Sequence, residues 1–299
     1  MSDDAITLKN GDLQLQLRAD CGGAVTALRL MDGSGPIDLL RPASAQTIAD
    51  RNALDTACYP LVPFSNRVMG GRFEFAGREY RLEPNMPPYP HPLHGHGWTA
   101  TWEVRGQSDT EATLAFSHDA GDYPSTYEAT QKFELFETGL TVTFELKNTG
   151  NEAMPCGLGL HPFFAKPDDT VLDVNTKTVW LNLDNGDPST RIDVPQRWDF
   201  SGGKPLGDVQ LDNCFGGWDK TATITWPSRG LRMHLTAEGP AEHVVIYAPP
   251  GQGFVCVEPV TNANNAFNLS QRGVDGVGVQ VLQPGEVLTL VMKLTLERI

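Results

Sequence analysis

The chain has 299 residues, of which 40% are hydrophobic and 20% are charged, and this composition excludes an intrinsically disordered protein. Its 23 basic and 37 acidic residues give a formal net charge of −14. A chain this acidic is repelled by phosphate backbones and by anionic lipid, so we expect neither nucleic acid nor a membrane as a partner.

The N-terminal segment and the cysteines predict a cytoplasmic protein. The first ten residues carry acidic side chains where a signal peptide needs basic ones, and no apolar stretch approaches the length of a transmembrane helix. The five cysteines are scattered, odd in number and without a CxxC spacing. Reduced thiols are the simplest interpretation.

Alternation of apolar and polar residues predicts strands along the chain. Leu13, Leu15 and Leu17 alternate with polar residues after the turn signal Asn10-Gly11. Two further segments, 72–82 and 127–148, each contain two alternating runs separated by a short Gly-containing turn, and each predicts a hairpin. Near the C-terminus, every second residue from 288 to 296 is apolar. Such strands bury one face and expose the other, as in antiparallel sheets.

Helical periodicity is nearly absent, and only 43–57 predicts a short helix. Roughly twenty short strands with frequent Gly, Asn and Pro turns favour an all-β protein, a large antiparallel β-sandwich with few short helices. With no internal repeat and no low-complexity linker, we expect residues 1–299 to form a single domain.

Five segments interrupt the strand pattern, and each sets a polar or ionisable residue beside apolar or turn residues. They are Tyr59–Val68, His91–Trp98, Gly157–Phe164, Leu211–Trp218 and Val255–Asn262. None of them forms a nucleotide-binding glycine loop or a GxSxG nucleophile turn.

Taken in order, these segments resemble the aldose 1-epimerase (mutarotase) family over roughly Leu13 to Leu296. The matching pieces are Asn66-Arg67, Gly71-Arg72-Phe73, Leu93-His94-Gly95, His161-Pro162-Phe163-Phe164, Asp212 and Glu258-Pro259. The resemblance implies the galactose mutarotase-like supersandwich and the interconversion of α and β anomers of a free hexose or pentose without a cofactor. A departure is that His96-Gly97-Trp98 follows His94-Gly95 more tightly than in galactose-type members, which bears on sugar specificity.

The resemblance implies that Glu258 is the catalytic base and His161 the catalytic acid. Ring opening requires the anomeric hydroxyl to lose a proton, and a positioned carboxylate can take it. Imidazole suits the proton donor to the ring oxygen because its pKa lies near neutrality. From the residues alone, Glu258 is equally well a solvated strand end, and His161 a core histidine with a satisfied hydrogen bond.

Five further residues are candidate sugar ligands by the same resemblance: Arg67, Asn66, His94, His96 and Asp212. For His96, two interpretations stay open: it assists in binding the sugar, or it only lines the loop. A guanidinium offers five donors in a rigid fork, although Asn66-Arg67 could be a plain surface turn. Asp212 would accept hydrogen bonds from sugar hydroxyls, or it is a turn residue before Asn213; its segment is short and loosely matched.

His91, His94 and His96 also allow a metal site, but Pro92 and Gly95 do not place the three rings as a helical zinc motif would, so we expect no metal there. Trp98 and Trp218 could stack on a sugar or cover the core. His118, His234 and His243 lie in no motif, and His234 is expected to be exposed on a strand.

Two other functions stay open from the sequence. A non-catalytic sugar-binding protein on the same sandwich would keep the Arg and aromatic contacts and need no acid/base pair, so the presence of both His161 and Glu258 favours the enzyme. A glycoside hydrolase or lyase is disfavoured because the chain lacks an added catalytic domain. The sequence names neither the preferred sugar nor the oligomeric state.

Overall fold

The structure is a computed structural model that describes residues 5–182 and 188–299. Strands dominate it, and two α-helices occur in the described part of the chain, α1 Ala45–Ala49 and α2 Ala266–Gln271. The strands are, in chain order, β1 Ala5–Asn10, β2 Leu13–Arg18, β3 Ala24–Asp32, β4 Gly35–Asp38, β5 Cys58–Leu61, β6 Arg72–Phe75, β7 Arg78–Arg81, β8 Glu103–Gln107, β9 Glu111–His118, β10 Tyr127–Phe136, β11 Gly139–Asn148, β12 Met154–Cys156, β13 Gly159–Ala165, β14 Val171–Val174, β15 Thr178–Asn182, β16 Pro188–Asp193, β17 Lys204–Pro205, β18 Leu211–Gly216, β19 Thr221–Trp226, β20 Leu231–Glu238, β21 His243–Ala248, β22 Phe254–Val260, β23 Gln280–Leu282 and β24 Val287–Arg298.

Two large antiparallel sheets contain most of these strands. One has eleven strands in the order β1-β2-β3-β5-β13-β22-β21-β18-β15-β16, with β4 paired to β3. The other has nine, in the order β17-β14-β19-β20-β24-β11-β10-β9-β8. Two small sheets, β6-β7 and β12-β23, complete the pairing within the described residues. The predicted all-β fold is confirmed.

The alternating strands bury one shared core between the two large sheets. Leu13, Leu15 and Leu17 of β2 and Phe133 and Phe144 of β10 and β11 are almost fully buried in one apolar cluster. Each such side chain contributes roughly 1.5–3 kcal/mol when it leaves water. The predicted hairpins are confirmed as β1–β2, β6–β7 and β10–β11, and the C-terminal alternation becomes β24.

The helix predicted within 43–57 is present as α1, followed by a 3-10 turn at Ala53–Asp55. Ser44 caps α1, because its hydroxyl accepts a hydrogen bond from the Thr47 backbone N–H at 3.0 Å. No helix of the described residues is long and apolar enough to cross a membrane. All five cysteines are buried and free, as the scattered spacing predicted.

Candidate active site

The central strands of the eleven-stranded sheet position the two predicted catalytic residues opposite each other. The register pairs Gly159 with Val260 and Phe163 with Cys256, so His161 of β13 faces Glu258 of β22. On the other side of β13, His161 pairs with Tyr59 of β5. Directly opposed residues on one face have Cβ atoms about 4.5–5.5 Å apart. Strand pairing alone therefore brings the acid and base candidates together.

These strands differ from the rest because both of their faces are buried. All seven residues of β13 and all seven of β22 are buried. One face, including Phe164 and Val257, packs into the core between the sheets. The other face carries the functional residues and an apolar cluster that includes Phe163 and Val245. Loops cover this second face and leave a cavity above it.

The cavity has a volume of about 390 Å³, a size typical of small-molecule sites. It contains six of the seven residues predicted for the site: Asn66, Arg67, His94, His161, Asp212 and Glu258. These residues come from two strands, two loops and the edge of β18, so they are far apart in the sequence. The structure does not bring the seventh, His96, to this cavity.

Glu258 and His161 lie at the buried end of the cavity, with side chains 2% and 8% exposed. Their Oε1 and Nε2 atoms are 3.2 Å apart, close enough for proton transfer. Burial raises the pKa of Glu258 well above its ordinary value; Asp212 raises it further and Arg67 opposes the change. Burial, with a smaller contribution from Arg41, lowers the pKa of His161 to about 3. Both shifts favour the uncharged form of each group.

The loop that carries Asn66 holds His94 as a hydrogen-bond donor. The Asn66 backbone N–H donates to His94 Nδ1 at 3.0 Å, and the His94 N–H donates back to the Asn66 carbonyl at 2.8 Å. Burial lowers the pKa of His94 well below its ordinary value, so the ring is neutral. Since Nδ1 accepts a hydrogen bond, the ring's own hydrogen must be on Nε2. His94 therefore offers one N–H donor to the cavity it lines.

Arg67 lies at the mouth of the cavity with a side chain 13% exposed. Its Nη1 donates to the Asn66 side-chain oxygen at 3.0 Å, and its guanidinium carbon is 5.1 Å from the centre of the Tyr89 ring. Asp212 is 3.9 Å from Nη2 and 52% exposed. The buried Nε has no hydrogen-bond partner among the described residues. Arg67 thus has donor capacity that the protein itself does not use.

Three predicted residues lie elsewhere. Trp98 and Trp218 are buried, and their indole N–H groups donate to the backbone oxygens of Leu93 and Thr221 at 2.8 and 2.7 Å. Neither lines the cavity, which favours the interpretation of both as core residues. His96 contacts Tyr127 on the nine-stranded sheet instead.

The remaining histidines each have their own hydrogen-bond partner. His91 accepts a hydrogen bond from the Gly70 N–H at 3.1 Å, so His91, His94 and His96 each have separate partners. The half-exposed His234 lies 2.9 Å from Glu297, and His243 is buried against the Gly276 carbonyl.

Several cavity residues were missed by sequence reasoning. Tyr59 and Phe163 stack on the His161 ring, with centroids 4.6 and 4.5 Å away. Period two could have found Phe163, since residue i+2 on a strand shares the face of residue i. Arg41 lies 3.7 Å above the Phe163 ring and donates to the Leu54 and Thr56 carbonyls. Arg41 stands in no motif, so no local signal could have found it.

Cys256 lies beside His161 and Glu258, and the three could together surround a metal ion. Burial raises the pKa of the Cys256 thiol well above its ordinary value, with Glu258 adding to the effect. To bind a metal ion, Cys256 must become a thiolate and Glu258 a carboxylate, whereas burial in the metal-free chain favours the protonated form of both. A metal ion at this position would therefore have to displace both of these protons.

Comparison with known proteins agrees with this arrangement. The family model described as aldose 1-epimerase matches residues 4–295. The uncharacterised protein YphB of Escherichia coli K12 is 33% identical over 299 residues, covering 97% of this chain and 98% of YphB. The uncharacterised protein YihR of the same organism is 26% identical over 239 residues, covering 76% and 74% of the two chains.

Solved structures show the same fold. A crystal structure from Escherichia coli K12, provisionally named as an aldose 1-epimerase, has a TM-score of 0.88 at 32% identity and covers 99% of both chains. A galactose mutarotase-like protein from Clostridium acetobutylicum has a TM-score of 0.87 at 20% identity, covering 99% of this chain and 95% of that one; at this identity it supports the fold alone. The family match extends over nearly the whole sequence, and this chain belongs to the aldose 1-epimerase family.

Proposed function

We propose that the protein is an aldose 1-epimerase that interconverts the α and β anomers of a free hexose or pentose by acid/base ring opening and reclosure. The observation that carries this proposal is the 3.2 Å separation of Glu258 Oε1 and His161 Nε2 at the buried end of a cavity of monosaccharide size. A protein that only binds sugar has no need of two adjacent, buried proton-transfer groups. The free cysteines support a cytoplasmic location as part of the same proposal.

In the proposed reaction, the Glu258 carboxylate takes the proton of the anomeric hydroxyl while His161 gives a proton to the ring oxygen. The C1–O5 bond breaks, and an open-chain aldehyde with a hydroxyl at C5 results. Rotation about C1–C2 presents the other face of the carbonyl to that hydroxyl. On reclosure the hydroxyl returns its proton to His161, and Glu258 protonates the new anomeric oxygen, so the pair ends as it began.

In the proposed mechanism, Glu258 and His161 exchange a proton before the reaction starts. Burial favours a protonated Glu258 and a neutral His161 in the free protein, whereas the reaction starts from a carboxylate and an imidazolium. Transfer of one proton from Oε1 to Nε2 across 3.2 Å converts the first state into the second. This transfer costs free energy, but the charged groups that it produces are more reactive. A carboxylate with a raised pKa is a stronger base, and an imidazolium with a lowered pKa is a stronger acid.

The remaining cavity residues supply the sugar contacts. His94 offers the Nε2–H donor described above, and Arg67 offers the nitrogens that the protein leaves unused. Asp212, half exposed at the mouth, can accept hydrogen bonds from hydroxyls. Tyr247 and Phe254 line the cavity as well and add apolar surface for the C–H faces of a sugar ring.

Polarimetry of freshly dissolved α-glucose, α-galactose, xylose and arabinose, with and without the protein, tests the proposal. Glu258→Gln and His161→Asn should each lower kcat by roughly 10²–10⁴-fold, the usual contribution of one proton-transfer group, with much weaker effects on sugar binding. The matched controls Glu297→Gln and His234→Asn change the same residue types in a surface pair and should leave the rate unchanged.

Two results would contradict the assignment. Near-native turnover in both cavity variants would remove Glu258 and His161 from the chemistry. Saturable sugar binding with no acceleration of mutarotation for any of the four sugars would favour the non-catalytic binding protein.

A further inference from the structure

His96 belongs to a cluster of side chains on the far side of its loop from the cavity. Its ring stacks on that of His118, the last residue of β9, with centroids 3.9 Å apart and planes inclined by 12°. Asp122 lies against both rings: its carboxylate oxygens are 3.5 Å from His96 Nε2 and 3.0 Å from His118 Nε2. We call His96, His118 and Asp122 the two-histidine cluster.

The donor atoms of this cluster lie close enough together to surround one ion. One ligand atom from each residue can be chosen so that all three lie within 4.8 Å of one another. Bonds of about 2.0–2.1 Å to one ion, at angles between 90° and tetrahedral, put neighbouring ligand atoms about 2.9–3.4 Å apart. The separation of 3.0 Å between His118 Nε2 and Asp122 Oδ1 lies within this range, and that of 3.5 Å between His96 Nε2 and Asp122 Oδ2 is slightly longer.

The second nitrogen of His96 also has the partner that a ligand histidine requires. Its Nδ1 lies 2.6 Å from the hydroxyl of Tyr127, a fully buried residue of β10. When Nδ1–H donates to the phenol oxygen, the lone pair of Nε2 is left to face Asp122 and the ion. Contacts of this kind fix the ring orientation and tautomer of metal-bound histidines.

We propose that His96, His118 and Asp122 form a binding site for one divalent transition metal ion of the zinc class, separate from the catalytic cavity. Two imidazoles and one carboxylate are ligands that Zn²⁺, Co²⁺ and Ni²⁺ accept. The side chains of His96, His118 and Asp122 are 19%, 20% and 42% exposed, so water can complete the coordination.

Binding requires a small change in one ring. The lone pair of each Nε2 lies in the plane of its own ring, and the two ring planes are nearly parallel. One imidazole must therefore turn before both lone pairs can point at one ion. His118 can turn because it ends its strand and is partly exposed, whereas Tyr127 holds His96. The ion would join the nine-stranded sheet, through His118, to the loop that carries His94. It would therefore act on the stability of that loop, without contacting the sugar.

Titration calorimetry and metal analysis of the tag-free, EDTA-treated full chain with ZnCl₂ and CoCl₂ test the site. We expect one equivalent of ion with a micromolar or lower Kd, and a Kd at least 100-fold higher in His118→Asn and in Asp122→Asn. Tyr127→Phe keeps both ligands and loses the partner of Nδ1, so its Kd should rise by about 10–100-fold. His234→Asn and Cys256→Ser are the controls, and both should keep one equivalent at unchanged affinity.

Circular dichroism and thermal melts of the metal-free variants establish that each is folded. Absence of binding at 100 µM metal in the folded native chain would overturn the proposal and leave the cluster as a carboxylate hydrogen-bonded to two histidines. Unchanged binding in His118→Asn and Asp122→Asn would also overturn it. Loss of the ion in Cys256→Ser would place the metal at Cys256, and would refute the two-histidine cluster as its site. None of these measurements depends on mutarotation, so their failure is distinct from failure of the proposed enzyme activity.

Discussion

The substitution Arg67→Lys tests whether Arg67 binds the substrate or only supports the fold. The substitution keeps the positive charge and loses the planar fork of donors. Within the protein, Arg67 makes one hydrogen bond to Asn66 and a 3.9 Å contact to the half-exposed Asp212. A pair at this separation with one half-exposed partner contributes about 0–1 kcal/mol to stability. The melting temperature should therefore fall by less than about 4 °C.

The kinetic effect should be much larger. A hydrogen bond from a charged donor contributes about 1.5–3 kcal/mol, so losing one contact to the sugar should lower kcat/KM by roughly 10–150-fold. Polarimetry gives the rates, and thermal melts with and without sugar show whether the ligand still stabilises the variant. Arg232→Lys, a surface arginine paired with Glu297, is the matched control and should change neither quantity.

Two results would refute this reasoning about Arg67. A large loss of melting temperature, equal with and without sugar, would identify Arg67 as a structural residue. An unchanged kcat/KM with an unchanged melting temperature would identify it as a surface turn, although its side chain is only 13% exposed.

Two further predictions concern the acid/base pair and the His94 loop. Burial raises the pKa of Glu258 in the folded protein. The stability that the protonated carboxyl contributes is therefore fully present below the unfolded-state pKa of about 4.3. This stability is lost as pH rises through the folded-state pKa, by up to about 1.4 kcal/mol per pH unit. Glu258→Gln cannot ionise, so its melting temperature, relative to that of the native chain, should rise as pH increases above about 4.3; a pH-independent difference would contradict the shift. Gly95 has φ +69° and packs where a Cβ would overlap the Val62 carbonyl oxygen, so Gly95→Ala should cost at least about 1–2 kcal/mol. It should also raise KM through displacement of His94, whereas Gly253→Ala, with open space around it, should be neutral in melts and kinetics.

The hairpins could be predicted from sequence because both of their determinants are local. Alternation and a glycine turn lie within a few residues of each other, as in 127–148, and they gave β10 and β11 at nearly the observed bounds. The pairing of β13 with β22, about a hundred residues apart, has no such local signal. The strands of the site are also buried on both faces, so simple alternation does not describe them.

The residues of the cavity were predictable only as far as the family resemblance extends. His94 and His96 are two residues apart, and strand geometry would put them on one face. Positive φ values at His94 and Gly95, of 58° and 69°, interrupt that geometry, and the two rings reach different parts of the molecule. Arg41 contacts Phe163, which lies more than a hundred residues away in the sequence. No motif around Arg41 predicts this contact.

The proposed acid/base pair and three of the proposed sugar ligands rest on different kinds of scaffold. Glu258 and His161 extend from neighbouring, hydrogen-bonded strands at the centre of a sheet, whereas Asn66, Arg67 and His94 extend from two loops that brace one another. Changes in the loops can therefore alter which hydroxyls are recognised while the strand register keeps the spacing of the proton-transfer atoms. A protein engineer could exchange these loops between relatives to change sugar preference and leave the chemistry in place.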